Sequence, residues 1–197
     1  FGDQVDNLPQ ENLPEKREGS PIYKDLNALL EFGAPPEFYV AQGYLDTLKR
    51  HRSRHEGKGN GFGYMVVNEP SIKNPYSNAI LATGGSGKER NLVYDPQEGI
   101  AGKIFKGKQT PLNNENIRHM TPTEWGKLQG FIGYAFINEF GEDKFTFPPS
   151  LSKTQLYKQF GNSVTIPVIE QMALYMNSCI EFLETNKNQK NIYENAV

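Results

Sequence analysis

Residues 155–164, Gln-Leu-Tyr-Lys-Gln-Phe-Gly-Asn-Ser-Val, run directly into Thr165-Ile166-Pro167-Val168, and no other stretch constrains the fold as tightly. Gly161-Asn162-Ser163 is a turn of small polar residues ahead of a long apolar run. The spacing predicts a helix from about Ser163 to Leu183, with Val168, Met172, Met176, Cys179 and Leu183 as its apolar stripe. Pro167 falls in the first turn, where its missing N–H costs nothing. A helix led by free amides and small side chains can hold an anionic group against the positive end of its dipole. Asn162 serves equally well on this pattern as a plain N-cap, so the residues alone leave both roles open. Upstream, Tyr157, Lys158 and Gln159 read as a solvated connector.

The 197 residues suffice for one medium domain or two small lobes, and 19 Gly with 13 Pro predict many loops. No run is long and apolar enough to span a bilayer, so no membrane partner is expected. The first residue is Phe1 with no charged-then-apolar leader, the pattern of a piece of something longer or of a chain with a missing start. The single cysteine, Cys179, excludes an internal disulfide or a cysteine-cluster zinc site and fits a cytoplasmic protein. It lies on the apolar stripe and reads as a packed, structural thiol. His51 and His55 share a helix face and His119 stands apart; with no acidic or cysteine partner at metal-site spacing, no metal is expected.

Charge is distributed unevenly. Residues 1–40 carry 3 basic and 8 acidic side chains, residues 41–130 carry 13 and 8, and residues 131–197 carry 5 and 7. A positive middle between negative ends is the electrostatic footprint of a polyanion partner. Within it, Lys49, Arg50, Arg52, Arg54 and Lys58 run into Gly59-Asn60-Gly61-Phe62-Gly63, a glycine-rich turn whose backbone can approach phosphate closely. Arg52, Arg54, Lys58 and Asn60 are therefore candidate phosphate contacts. Gly84-Gly85-Ser86-Gly87 lacks the spacing of a nucleotide-phosphate loop but is followed by Lys88, Glu89, Arg90 and Asn91. Arg can fork onto guanine, Asn onto adenine, and Glu can accept from cytosine, so these four are candidate base readers.

Local patterns predict a short helix over Tyr23–Phe32 stopped by Gly33, and a second over Phe38–Arg54 with Tyr39, Tyr44, Leu45 and Leu48 as its apolar positions. Met65–Val67, Ala79–Ala82 and Asn91–Tyr94 are strand candidates. Thr121-Pro122-Thr123-Glu124 is a helix start in which Thr121 caps, Pro122 takes the first position and Glu124 closes a capping box; Gly130 ends that helix. Four segments result: an irregular lead-in (1–19), a β-rich lobe (20–115), a helical segment (116–185) and a mobile tail (186–197).

Three of these stretches stand in the order found in the DNA (cytosine-5) methyltransferases. Arg118 to Phe131 resembles the penultimate motif, Arg-x-Leu-Thr-Pro-x-Glu-x-x-Arg-Leu-Gln-Gly-Phe, with Met120 in place of Leu and Lys127 in place of Arg. Gln155 to Val164 with Pro167-Val168 resembles the last motif. Arg54-His55 followed by Lys58 to Tyr64 looks like the opening of the target-recognition region of bacterial members. The glycine-rich cofactor turn, Pro-Cys nucleophile, Glu-Asn-Val and Gln-x-Arg-x-Arg segments that the family places earlier do not occur here.

The resemblance implies a mixed α/β fold: a small irregular β-rich recognition lobe plus helices that complete a doubly wound S-adenosylmethionine-dependent methyltransferase domain. It implies that Asn162, Ser163 and Val164 form one wall of the S-adenosylmethionine pocket, that Lys88 to Asn91 lie in the recognition loop, and that Arg118 ties the recognition region to the catalytic lobe. No catalytic residue is expected in this chain. The implied partners are double-stranded DNA and a catalytic half or large subunit, in a bacterial cytoplasm and at the nucleoid. A DNA-binding module without catalytic role and a purely scaffolding subunit are the rival readings.

Overall fold

The computed structural model describes residues 22–61, 63–83 and 87–194, with side chains through residue 186. The lead-in, Phe62, the Gly84-Gly85-Ser86 turn and the side chains of the expected tail lie outside the described residues. The chain divides into two compact units, residues 21–164 and residues 1–20 with 165–197. The larger unit spans the boundary drawn above at 115/116.

The larger unit holds α1 (Leu26–Leu29), α2 (Gln42–Glu56), β1 (Leu92–Tyr94), β2 (Ile117–His119), α3 (Pro122–Gln129) and α4 (Lys153–Asn162), with 3-10 turns at Pro36–Phe38 and Lys88–Asn91. The first expected helix shrinks to one turn capped by Asp25, whose carboxylate accepts from the Ala28 amide. The second starts later than its pattern, at Gln42, because Pro35-Pro36 hold the chain in a tight turn before it. Leu45 and Leu48 are buried along it, whereas Tyr44 is exposed.

The β-rich expectation is corrected to a loop-rich lobe that holds, among the described residues, one two-stranded sheet. β1 and β2 pair antiparallel, Leu92 opposite His119, Val93 opposite Arg118 and Tyr94 opposite Ile117. Met65–Val67 contributes only an isolated parallel bridge from Val66 to Leu92, and Ala79–Ala82 forms no strand. Two apolar clusters flank the sheet. Val67, Val93, Met120, Trp125, Tyr157 and Phe160 pack with the leucines of α1 on one side; Val40, Leu45, Leu48, Tyr64, Leu92 and Ile117 pack on the other.

α3 forms as its sequence dictates. The Glu124 amide donates to Thr121 Oγ1 at 3.1 Å, the Thr121 amide donates to Glu124 Oε2 at 2.7 Å, and Gly130 ends the helix at φ 79. α4 starts on a second capping box, Ser152 with Gln155. This places Tyr157 inside a helix instead of in a solvated connector. Its ring meets Trp125 edge-on at 4.8 Å and its hydroxyl donates to the Met120 carbonyl at 2.5 Å.

Gly161 and Asn162 close α4, and the smaller unit's helix, α5, runs Ile166–Glu194. The helix expected from Ser163 therefore begins three residues later and extends well beyond Leu183. Its expected stripe is buried at Cys179 and half-buried at Leu183, but Val168, Met172 and Met176 are exposed, as are Ile169, Leu174, Ile180 and Phe182. Gly161 is required by close packing, since a Cβ there would stand 2.3 Å from the Leu81 carbonyl oxygen and 2.7 Å from Ala82 Cα. Both neighbours are backbone and cannot swing aside. Gly161→Ala should lower stability by about 1–3 kcal/mol; an unchanged denaturant midpoint would contradict this packing.

Candidate functional site

The larger unit is built around a buried charge. Arg118, at the centre of β2, is fully buried, and its guanidinium donates five hydrogen bonds. Nε reaches Asp95 at 2.7 Å, Nη1 reaches Glu124 at 2.8 Å and the His119 carbonyl at 3.1 Å, and Nη2 reaches Glu124 at 2.8 Å and the Glu31 carbonyl at 2.7 Å. Burial alone would push the Asp95 carboxyl up, but Arg118 and the Gly33 and Ala34 amides outweigh it and hold it below the usual value. Burial likewise opposes the charge on Arg118, and Glu124 and Asp95 overcome it.

The four candidate base readers do not form one exposed loop. Lys88 to Asn91 make a 3-10 turn that leads into β1. Asn91 is buried: its Oδ1 accepts from the Asn78 amide at 2.7 Å and its Nδ2 donates to the Asn78 carbonyl at 3.0 Å. Its carboxamide is thus committed to pinning the 78–91 loop, which corrects the expectation that it faces a base edge. Glu89 accepts from the Gly87 amide at 3.0 Å. Lys88 is partly buried with Nζ 4.2 Å from the Tyr157 ring centre. Arg90 alone is exposed, its side chain lying across Gly63, where a Cβ would come within 3.0 Å of Nε.

Of the candidate phosphate contacts on α2 and its following turn, Arg54, Lys58 and Asn60 are exposed. Arg52 is exposed too, but its Nε pairs with Glu56 at 2.8 Å and its guanidinium sits 5.7 Å from the Tyr64 ring centre. Lys49 pairs with Glu115.

The candidate cofactor wall lies at the end of α4. Asn162 is the last helical residue, so the expected N-cap geometry is replaced by a position at a helix C-terminus. Ser163 caps that end, its hydroxyl donating to the Phe160 carbonyl at 2.7 Å. The Asn162 carboxamide is exposed, as is Val164 at 58%. An open carboxamide beside an uncovered apolar side chain suits a ligand with polar and apolar parts. Among the described residues no cluster of acidic, histidine or cysteine side chains could hold a metal, and no helix is long and apolar enough to cross a membrane.

Sequence patterns missed His119. Its Nδ1 is sealed from solvent and has no hydrogen-bond partner. Burial, then the charges of Lys88 and Lys108, push the ring down from 6.5 to about 3. A ring neutral in the fold but free to protonate when unfolded stabilises the protein above pH 6.5, and this contribution is lost as pH falls from 6.5 to about 3. Asp95 adds acid lability below its ordinary 3.8. In an NMR titration of the folded protein, His119 should stay neutral well below 6.5; a midpoint near 6.5 would contradict the structure.

Comparison with known proteins shows the family. The family model for C-5 cytosine-specific DNA methylase matches residues 2–178. The type II methyltransferase M.HpaII of Haemophilus parainfluenzae is 40% identical over 143 residues, covering 69% of this chain and 33% of that protein. The DNA-cytosine methyltransferase of Escherichia coli K12 is 35% identical over 129 residues, covering 64% of this chain and 25% of that protein. The type II methyltransferase M.DsaV of Dactylococcopsis salina is 29% identical over 204 residues, covering 92% and 48%. The chain thus spans between a quarter and a half of the length of these relatives. A solved methyltransferase of Entamoeba histolytica shares the fold at a TM-score of 0.53 and 18% identity, over 85% of this chain and 44% of that one. With a family match over nearly its whole length, the chain belongs to the C-5 cytosine-specific DNA methylases.

Proposed function

We propose that this chain is the DNA-recognition and cofactor-pocket-completing part of a DNA (cytosine-5) methyltransferase, working with a catalytic half that supplies the nucleophilic thiol. The observation that carries this reading is the apolar surface of α5. Seven large apolar side chains, Val168, Ile169, Met172, Leu174, Met176, Ile180 and Phe182, are exposed on one helix. A helix this apolar asks for a protein surface against it.

The relatives' names extend the reading to methylation of DNA alongside type II restriction systems. Arg54, Lys58 and Asn60 lie along the end of α2 and its turn, where contact with a duplex backbone is open to them. Arg90 is the side chain free to reach a base edge. When bound, S-adenosylmethionine supplies the methyl group that is added to C5 of cytosine. Asn162 and Val164 line its site, and Ser163 holds the turn that presents them. A target base has to leave the duplex stack to be reached, so this chain's task is to grip the flanking duplex while that happens.

Cys179 does not supply the thiol. It is buried on α5. Transfer of labelled methyl groups from S-adenosylmethionine to duplex DNA tests the proposal, with this chain alone, a family catalytic half alone, and the two mixed. Transfer is expected only in the mixture. Transfer by this chain alone, abolished in Cys179→Ser, would overturn the proposal.

A further inference from the structure

The glycines of the turn after α2 have different duties. A Cβ on Gly61 would meet nothing within 4 Å, whereas a Cβ on Gly63 would stand 3.0 Å from Arg90 Nε, 3.2 Å from its Cγ and 3.4 Å from its Cζ. Gly63 is not in the left-handed region, so its backbone would accept a side chain; the Arg90 side chain is what occupies the space. Both partners are held by bonds outside this contact. Tyr64, the next residue, is anchored in the apolar cluster with Leu45, Leu48 and Leu92. Beyond it the Met65 amide donates to the Glu89 carbonyl at 3.1 Å, and the Leu92 amide donates to the Met65 carbonyl at 2.9 Å. The segment that starts at Gly63 therefore runs beside the turn that carries Arg90, in a register set by backbone pairing.

Arg90 itself is fixed on both sides of its Cα. Its amide donates to the Gly87 carbonyl at 3.2 Å, and its carbonyl accepts from Asn78 Nδ2 at 2.7 Å. Asn78 is in turn gripped by Asn91, whose carboxamide takes both the amide and the carbonyl of Asn78. The Arg90 guanidinium is exposed and, among the described residues, enters no ion pair, whereas Arg52 and Arg118 commit theirs to carboxylates. Binding costs a long side chain its rotamer freedom, and a guanidinium whose stem is already laid down has less of that freedom to lose.

We propose that Gly63 and Asn78 are positioning residues for DNA sequence choice: together they hold Arg90 so that its guanidinium meets the two acceptors, O6 and N7, on the major-groove edge of a guanine. The proposal rests on the DNA-binding reading above and deepens it. It names the base that Arg90 reads, and it gives Gly63 a duty other than the close approach to phosphate expected of its turn. The bare Cα of Gly63 sets the path of the side chain, and Asn78 sets the backbone from which it springs. A side chain at position 63 would push Cγ, Nε and Cζ off that path and carry the guanidinium with them. In contrast to Gly161, the displaced atoms belong to a flexible side chain and not to backbone, so the fold is spared.

The test is binding of the chain, assembled with its catalytic half, to a duplex it selects from a random pool, to the same duplex with each guanine in turn replaced by 7-deazaguanine, and to a scrambled duplex. Arg90→Ala should lower the selected-to-scrambled affinity ratio by roughly 5- to 150-fold, the discrimination of one bidentate arginine–guanine pair. At one position 7-deazaguanine should weaken the wild-type protein and leave Arg90→Ala unaffected. Gly63→Ala and Asn78→Ala should each lower the ratio by part of the Arg90→Ala factor, with affinity for the scrambled duplex unchanged, and Gly63→Ala should keep the wild-type denaturant midpoint. In Arg90→Ala protein, Gly63→Ala should lower the ratio no further, because the added methyl then has no guanidinium to displace. Gly61→Ala, in the same turn, should leave the ratio as it is. A wild-type ratio in Gly63→Ala, while Arg90→Ala lowers it, would overturn the positioning role alone. So would an equal loss on both duplexes in Gly63→Ala, or the same drop in ratio with Arg90 present and absent. A wild-type ratio in Arg90→Ala would remove Arg90 as the reader, and the proposal with it, while DNA binding stood. Absence of binding by the wild-type protein to any duplex would remove the DNA-binding reading itself.

Discussion

One buried guanidinium holds the larger unit together. Arg118 has five N–H donors, and all five are used. They reach the end of β1 through Asp95, α3 through Glu124, and the chain after α1 through the Glu31 carbonyl. The acceptors are themselves bound further out: Asp95 takes the Gly33 and Ala34 amides, and Glu124 takes the amides of Glu31 and Thr121. Losing either carboxylate would leave a charge in the interior, at a cost of roughly 3–5 kcal/mol. The Arg-x-x-Thr-Pro-x-Glu spacing follows from this geometry. Glu124 must sit at the third helical position to close the cap on Thr121, and from there both of its oxygens reach Arg118.

The node matters to the proposed function because the candidate DNA-contacting turn hangs from its two strands. β1 carries the turn with Lys88 and Arg90 at its start, and β2 ends in His119. Fixing Arg118 therefore fixes where the turn that carries Arg90 stands.

How much of this was legible in the chain depended on how local each cause was. The α3 start, the Gly130 stop and the place of Pro167 in the first turn of the last helix were legible, because caps and proline act over four residues. The β2 strand was not: it is three residues long with arginine at its centre, and only the buried carboxylates around it make that residue an interior one. Asn91 looked like a base reader because its partner, the Asn78 backbone, is thirteen residues away. Gly161 and Asn162 looked like the opening of a helix, whereas Gly161 answers to the backbone of Leu81 and Ala82, half a chain distant. The family was legible from two long motifs; the place of each motif residue in the fold was not.

Native-state hydrogen exchange on the amides of Glu31, Gly33, Ala34 and Thr121 tests the central role of Arg118 most directly. If Arg118 organises the unit, these four amides exchange slowly in the wild-type protein, and Arg118→Met accelerates all of them together by a common factor. Acceleration confined to Thr121, with Gly33 and Ala34 unchanged, would show that α3 and the chain after α1 are held independently, and would contradict the account.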